Sequence, residues 1–319
     1  MYLLKESRKL PVLRIAAFSK FKSGITSYMA HQPLDRIFPY QTLKFLPVQF
    51  LKPQSKSIGQ ELSQTQKVNL LNIEIDNVFK TEVLENLRSG IVFTPNVDHL
   101  MKLQGDREFL QAYKMADYKL CDSQILMYAS RFLGQPIKEK ISGSDFFPAF
   151  YNFHKKNENI KVFLLGAAKG VAIKAQEKIN AKVQRNMIVG SYSPPFGFEK
   201  NEAECQKIIE MINRSDATVL AVGLGAPKQE KWIYQYREQL PNIRIFLAIG
   251  ATLDFEAGNL QRAPKYISDL GLEWLYRMVS EPKRLWKRYL IEGLPFFWLI
   301  LQQKLNIYKM TNHEVQSYE

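Results

Sequence analysis

The 319-residue chain has little of what metal sites and disulfide scaffolds require: two cysteines, Cys121 and Cys205, with no CxxC spacing, and four scattered histidines. So little cysteine in so long a chain excludes a disulfide framework, argues against zinc and points to the cytosol. Long apolar runs are missing too. The longest, Leu294 to Leu301, falls far short of the ~20 residues that span a bilayer. Lys5, Arg8, Lys9 and Arg14 break up the N-terminal apolar residues, so no secretory signal is expected. Neither GxGxxG nor GxxxxGK(S/T) occurs, which disfavours NAD or ATP binding of those types. Acidic residues are in deficit, 31 Asp+Glu against 44 Lys+Arg, and the net charge of +13 calls for an anionic partner: nucleic acid, a membrane surface or a phosphorylated substrate. No RRM, zinc-finger or helix-turn-helix pattern supports nucleic acid.

What is present reads as a soluble globular chain, 46% hydrophobic. Residues 1 to about 66 are rich in basic residues, carry Pro11, Pro33, Pro39, Pro47 and Pro53 and show no sustained period, which predicts a partly disordered extension. A new regime begins at Val68, followed by a helical stretch from about Lys80 to Leu87. Strands are predicted at Gly90 to Thr94, Tyr118 to Cys121, Lys161 to Leu165, Met187 to Ser191, Ala217 to Gly223 and Arg244 to Gly250. Several are continuous apolar runs, which suits strands buried on both faces of a parallel sheet. Helical periodicity is clearest over Lys169 to Lys182 and Glu202 to Ile212. The predicted class is α/β: a Rossmann-like, mostly parallel sheet with helices on both faces, spanning 67–262.

Each predicted strand runs into a small, polar or glycine-rich turn, and most residues with usable chemistry sit in those turns. In an open α/β sheet, ligands bind outside the carboxyl ends of the strands, so the distribution predicts one shared site. Asp122 is the carboxylate placed to act as general base; the competing reading is a helix N-cap ahead of Ser123-Gln124-Ile125-Leu126. Thr94 and Asn96 could hydrogen-bond a polyol, or form an ordinary turn. Gly225, with Pro227, Lys228 and Gln229, suits close backbone approach to an anion at a helix N-terminus, or a tight strand-to-helix connection. Asp254 and Glu256 are too few to chelate a divalent metal, so no metal or other cofactor is expected. His99 could act as a base, although a lone histidine is more often packed.

Beyond Arg262 the chain turns aromatic and basic. Pro282 fits the first turn of a helix that would place Lys283, Arg284, Lys287 and Arg288 on one side, near the apolar Leu294 to Leu301. Cationic and apolar parts together suit an anionic bilayer surface, so 263–319 is expected to be a helical, basic, membrane-associating appendage.

Taken together, Thr94-Pro95-Asn96, Asp122, Ser142 to Asp145, Ser191 to Phe198, Gly225 to Glu230, Gly250 to Phe255, Arg262-Ala263-Pro264 and Gly271 to Arg277 followed by Glu281 to Leu290 resemble the WecG/TagA/CpsF glycosyltransferase family, over roughly Val68 to Leu290. The family's bacterial enzymes extend lipid-linked cell-surface polysaccharides. The resemblance implies an inverting, metal-independent transferase using a UDP-sugar donor and an undecaprenyl-diphosphate-linked acceptor at the inner membrane face. Asp122 matches the family's proposed base, and Thr94 and Gln229 match residues that hold the sugar and acceptor. Asp254 and the turn around Tyr192 match the nucleotide side. The basic C-terminal segment resembles the family's appendage, which can supply arginines to the active site, and this makes Arg277, Arg284 and Arg288 candidates. Two positions depart from the pattern: Ser123 stands where the family usually has glycine, and Lys140 where it usually has a pyrophosphate-binding arginine, which keeps the charge and loses the bidentate fork. An inactive assembly member is the alternative that these departures raise, and nucleic-acid binding is the alternative from another class.

Overall fold

A computed structural model describes residues 66–261, 267, 275, 276, 279 and 293–309. The predicted N-terminal extension up to residue 65 lies outside the described residues, as do Arg277, Arg284 and Arg288. Lys67–Leu70 (β1) and Ile73–Asp76 (β2) pair as an antiparallel hairpin turned at Leu71, which has φ 55°. Six further strands form an all-parallel sheet: β3 (Gly90–Phe93), β4 (Tyr118–Lys119), β5 (Val162–Gly166), β6 (Ile188–Tyr192), β7 (Val219–Gly223) and β8 (Ile245–Ala248), in the order β4-β3-β8-β7-β5-β6. The helices bounded among the described residues include α1 (Lys80–Asn86), α2 (Val97–Lys102), α3 (Arg107–Met115), α4 (Gln124–Phe132), α5 (Gly143–Phe153), α6 (Val171–Val183), α7 (Glu202–Asn213), α8 (Lys228–Tyr236), α9 (Thr252–Ala257) and α10 (Leu294–Lys304).

The apolar strand runs serve two cores at once. Because successive side chains point to opposite faces, Phe163, Leu165, Leu220, Val222, Phe246 and Ala248 enter one core, and Val162, Leu164, Val219, Ala221, Ile245 and Leu247 the other. The first core also takes Phe109 and Tyr113 of α3, Trp232 and Ile233 of α8, Val68 and Leu70 of the hairpin, and Phe296 and Ile300 of α10. The second takes Phe146 and Phe150 of α5, Ile179 of α6 and Leu253 of α9. Each large aliphatic or aromatic side chain so buried stabilises the fold by roughly 1.5–3 kcal/mol over its exposed state. Helix starts are marked by short polar side chains: Asn96, Asp106, Ser123, Ser142 and Asn201 each accept a main-chain N–H at the N-terminus of α2, α3, α4, α5 and α7.

The sheet order positions the site. β3 and β8, the first and last strands of the sheet, lie side by side; the chain leaves β3 for the edge strand β4, whereas β8 is reached from β7 on its other flank. Connections diverge between the neighbours β7 and β5, the one leading to β8 and the other to β6, and the crevice that such a reversal opens lies at their carboxyl ends, next to those of β8 and β3.

Candidate active site

Five turns at this edge are cross-linked. The amide of Asp122 donates to the Pro95 carbonyl at 2.9 Å, and that of Ile141 donates to the Cys121 carbonyl at 2.7 Å. A Cβ on Gly143 would lie 3.3 Å from the Ile249 carbonyl oxygen and 3.4 Å from Thr94 Oγ1, so the start of α5 rests directly on the ends of β3 and β8. Gln229 Oε1 accepts from the amides of both Gly225, at 3.2 Å, and Gly250, at 3.1 Å. A Cβ on Gly223 would lie 2.8 Å from the Gly250 carbonyl, which is why glycine stands where these two turns touch. The structure therefore brings Thr94, Asn96, Asp122, Lys140, Asp145, Gly225, Gln229 and Asp254 onto connected turns of one crevice edge.

Charge is concentrated here. Burial pushes the Cys121 thiol up to about 12; the Asp122 carboxylate adds to this and the Lys140 ammonium opposes it, which sets opposite charges around the β4–α4 turn. Behind the turns, Tyr113 is raised by burial first and then by the carboxylates of Glu230, Asp122 and Asp98, so three acids surround one buried hydroxyl.

The family model described as Glycosyl transferase WecG/TagA/CpsF family matches residues 68–310. The chain belongs to this family. Its relatives include N-acetylglucosaminyldiphosphoundecaprenol N-acetyl-beta-D-mannosaminyltransferases of Staphylococcus aureus strains MRSA252 and MW2, each 26% identical over 247 residues, covering 75% of this chain and 93% of the relative. The protein is thus a glycosyltransferase of cell-surface polysaccharide biosynthesis, and the turns above are its candidate active site.

Within this glycosyltransferase the cap of α4 falls to Ser123, whose hydroxyl accepts from Ile125 at 3.2 Å and Leu126 at 3.4 Å. Capping therefore does not explain Asp122, which is half-buried at the crevice edge. Thr94 is buried. Asn96 caps α2 through Oδ1, and Asp145 shares a 2.6 Å hydrogen bond with Ser142 at the start of α5, so both help hold the turns in place.

Other expected ligand groups have protein partners. Lys228 pairs with Glu199 at 2.5 Å and lies over the Phe196 ring at 4.7 Å, tying the β7–α8 turn to the loop after β6. Tyr192 donates to Glu204 at 2.5 Å and ends β6, the far edge strand, four places from β3. At ordinary strand spacing the end of β6 is ~19 Å from that of β3 and ~10 Å from that of β7, so Tyr192 lies nearer the Gln229 turn than the Thr94 turn. Glu256 does not converge with Asp254: it is buried against Lys182 at 2.6 Å and Tyr151 at 3.0 Å. His99 is a packed histidine, its Nδ1 2.6 Å from the Tyr113 hydroxyl and its ring against Phe109. Among the described residues no group of three or more His, Cys, Asp and Glu could hold a metal ion.

Sequence reasoning missed the support behind the site. Lys102 pairs with Asp98 at 2.7 Å and reaches the Ala226 carbonyl at 3.4 Å, fastening α2 to the β7–α8 turn. The i,i+4 spacing of Asp98 and Lys102 was the available signal, and it names the pair without naming the turn.

Proposed function

We propose that the enzyme transfers an N-acetylmannosamine-type sugar from a UDP donor to an undecaprenyl-diphosphate-linked saccharide at the inner face of the cell membrane, with inversion. The observation that carries this reading is the gathering of Thr94, Asp122, Lys140 and Gln229 on cross-linked turns at the carboxyl edge of the sheet, together with the names of the Staphylococcus aureus relatives. An acceptor hydroxyl attacks the anomeric carbon as its proton passes to Asp122; the new glycosidic bond forms while the bond to the UDP phosphate oxygen breaks, and UDP leaves with the electron pair. Lys140 and the C-terminal arginines Arg277, Arg284 and Arg288 neutralise the departing diphosphate.

No described helix is long and apolar enough to cross a membrane. One side of α10 is buried through Phe296 and Ile300, and its other side exposes Leu294, Phe297 and Trp298. Tyr128 and Phe132 of α4 are exposed as well, and Lys304 lies over the Phe132 ring at 5.7 Å. An apolar, cation-rimmed surface of this kind suits peripheral contact with the bilayer that holds the acceptor. Incubation with UDP-N-acetylmannosamine, other UDP-sugars and short-chain lipid-diphosphate saccharides, with product mass as readout, tests the proposal. Turnover of none of them counts against it.

A further inference from the structure

Gln229 and Glu230 are adjacent in the first turn of α8, and both are buried. Two backbone N–H groups, from Gly225 and Gly250, converge on the Gln229 side-chain oxygen. That fixes which way the amide is turned, because its nitrogen cannot accept from them. The nitrogen, Nε2, then faces Glu230 and donates to its Oε1 at 2.8 Å. Oε2 of Glu230 has no hydrogen-bond partner among the described residues, so the side-chain hydrogen bond that this carboxyl group makes there is the one with Gln229.

We infer that Glu230 is a positioning residue acting through Gln229: by taking one N–H of the Gln229 amide it keeps the amide oxygen on Gly225 and Gly250, and so sets the spacing of the β7–α8 and β8–α9 turns that bound the sugar-transfer site. With the acceptor gone, the buried amide can satisfy its nitrogen only by turning over or moving, and either motion releases the two glycine amides. One N–H of Gln229 remains that no described protein group accepts, and its direction is set by the same lock. The inference rests on the proposed assignment of the reaction to this crevice.

The test uses the full chain in the UDP-sugar transfer assay with Glu230→Met, Glu230→Gln, Gln229→Met and the double Met variant. Glu230→Met removes the acceptor at similar volume and is expected to lower kcat/KM by about tenfold to a hundredfold, the effect of leaving one buried amide hydrogen unpaired. Glu230→Gln keeps an acceptor oxygen, places its NH₂ where Oε2 has no partner, and is expected to stay within about threefold of wild type. The double variant is expected to be no worse than the poorer single variant, as for groups acting as one unit. Additive losses, a silent Gln229→Met, or a Glu230→Gln defect as large as that of Glu230→Met would each overturn the inference. A crystal structure of Glu230→Met gives a readout independent of turnover: Gln229 still bonded to both glycine amides overturns the inference whatever the kinetics, and a released Gln229 supports it. Asp122→Asn in the same assay separates the two ideas, since full transfer there places the chemistry elsewhere while the structural readout still decides the lock.

Discussion

Asp122 is held by its own backbone, which donates to the Pro95 carbonyl at 2.9 Å, so the β4–α4 turn and the Thr94–Asn96 turn move as one piece. This carboxylate, whose charge acts with that of Lys140 on the Cys121 thiol and which Ser123 relieves of capping, is the proposed acceptor of the proton. Asp122→Asn keeps the shape and removes the proposed base. Turnover is expected to fall by a factor of about 10² or more with UDP affinity little changed. Single-turnover rates alongside UDP titration check this, and near-normal turnover would remove Asp122 from the role.

Ser123 is read by the structure as a helix cap, which explains a side chain at a position where the family usually has none. Ser123→Ala should cost about 1 kcal/mol of stability, whereas Ser123→Gly should cost only a few tenths. Urea denaturation of the two variants measures the difference. Unchanged stability in Ser123→Ala would mean that the hydroxyl contributes nothing to α4.

The strands were legible because runs such as Val162 to Leu165 and Val219 to Val222 are apolar at every position, which only a doubly covered strand tolerates. The β1–β2 hairpin was not, because its turn at Leu71-Asn72 carries neither glycine nor proline. The turn that carries Asp122 was legible from its place after a strand, yet the cap lies one residue further on, a shift that only the path of the backbone reveals. Glu230 and Lys102 could not be recognised as support, since their surroundings come from packing of α3 against α8 and from the reach of Lys102 to the turn before α8, more than a hundred residues away. The placing of Tyr192 on the strand farthest from β3 and β4 was equally hidden, because strand order is set by the crossovers and not by the local pattern.

Burial pushes the Glu230 carboxyl up to about 7 from an ordinary 4.5. Between those values the folded protein holds a proton that the unfolded chain releases, so stability falls as pH rises through the window. The loss approaches roughly 3 kcal/mol above pH 7, with Lys102 opposing the shift and Asp98 adding to it. Glu230→Gln has nothing to ionise there. Its stability relative to wild type should therefore increase from pH 5 to pH 8, as read from urea midpoints at each pH; a constant difference would show that Glu230 ionises in the folded state as it does in the unfolded one.

Transfer should persist in EDTA. Glu256 is already engaged by Lys182 and Tyr151, which leaves Asp254 without the neighbouring carboxylate that a divalent site would need. Loss of activity in EDTA with recovery on adding Mg²⁺ or Mn²⁺ would be the contrary result.

The exposed side of α10 makes the last prediction. Phe297 and Trp298 are more than half exposed, at 57% and 58%, on a helix whose opposite side is anchored by Phe296 and Ile300 and by Gln303, which bonds to the main chain of Asn69 and Leu71. The helix is therefore fixed to the catalytic unit, and its free aromatics can enter a bilayer without unfolding it. Phe297→Ser with Trp298→Ser should weaken binding to phosphatidylglycerol vesicles at every salt concentration, because the lost contribution is apolar. Neutralising Lys283, Arg284, Lys287 and Arg288 removes about 1 kcal/mol per charge at an anionic surface, a loss that should shrink as salt rises and screens the wild-type charges. Cosedimentation across a salt series separates the two contributions. If neither variant leaves the vesicles, the bilayer contact lies elsewhere on the chain and α10 serves only to cover the β1–β2 hairpin.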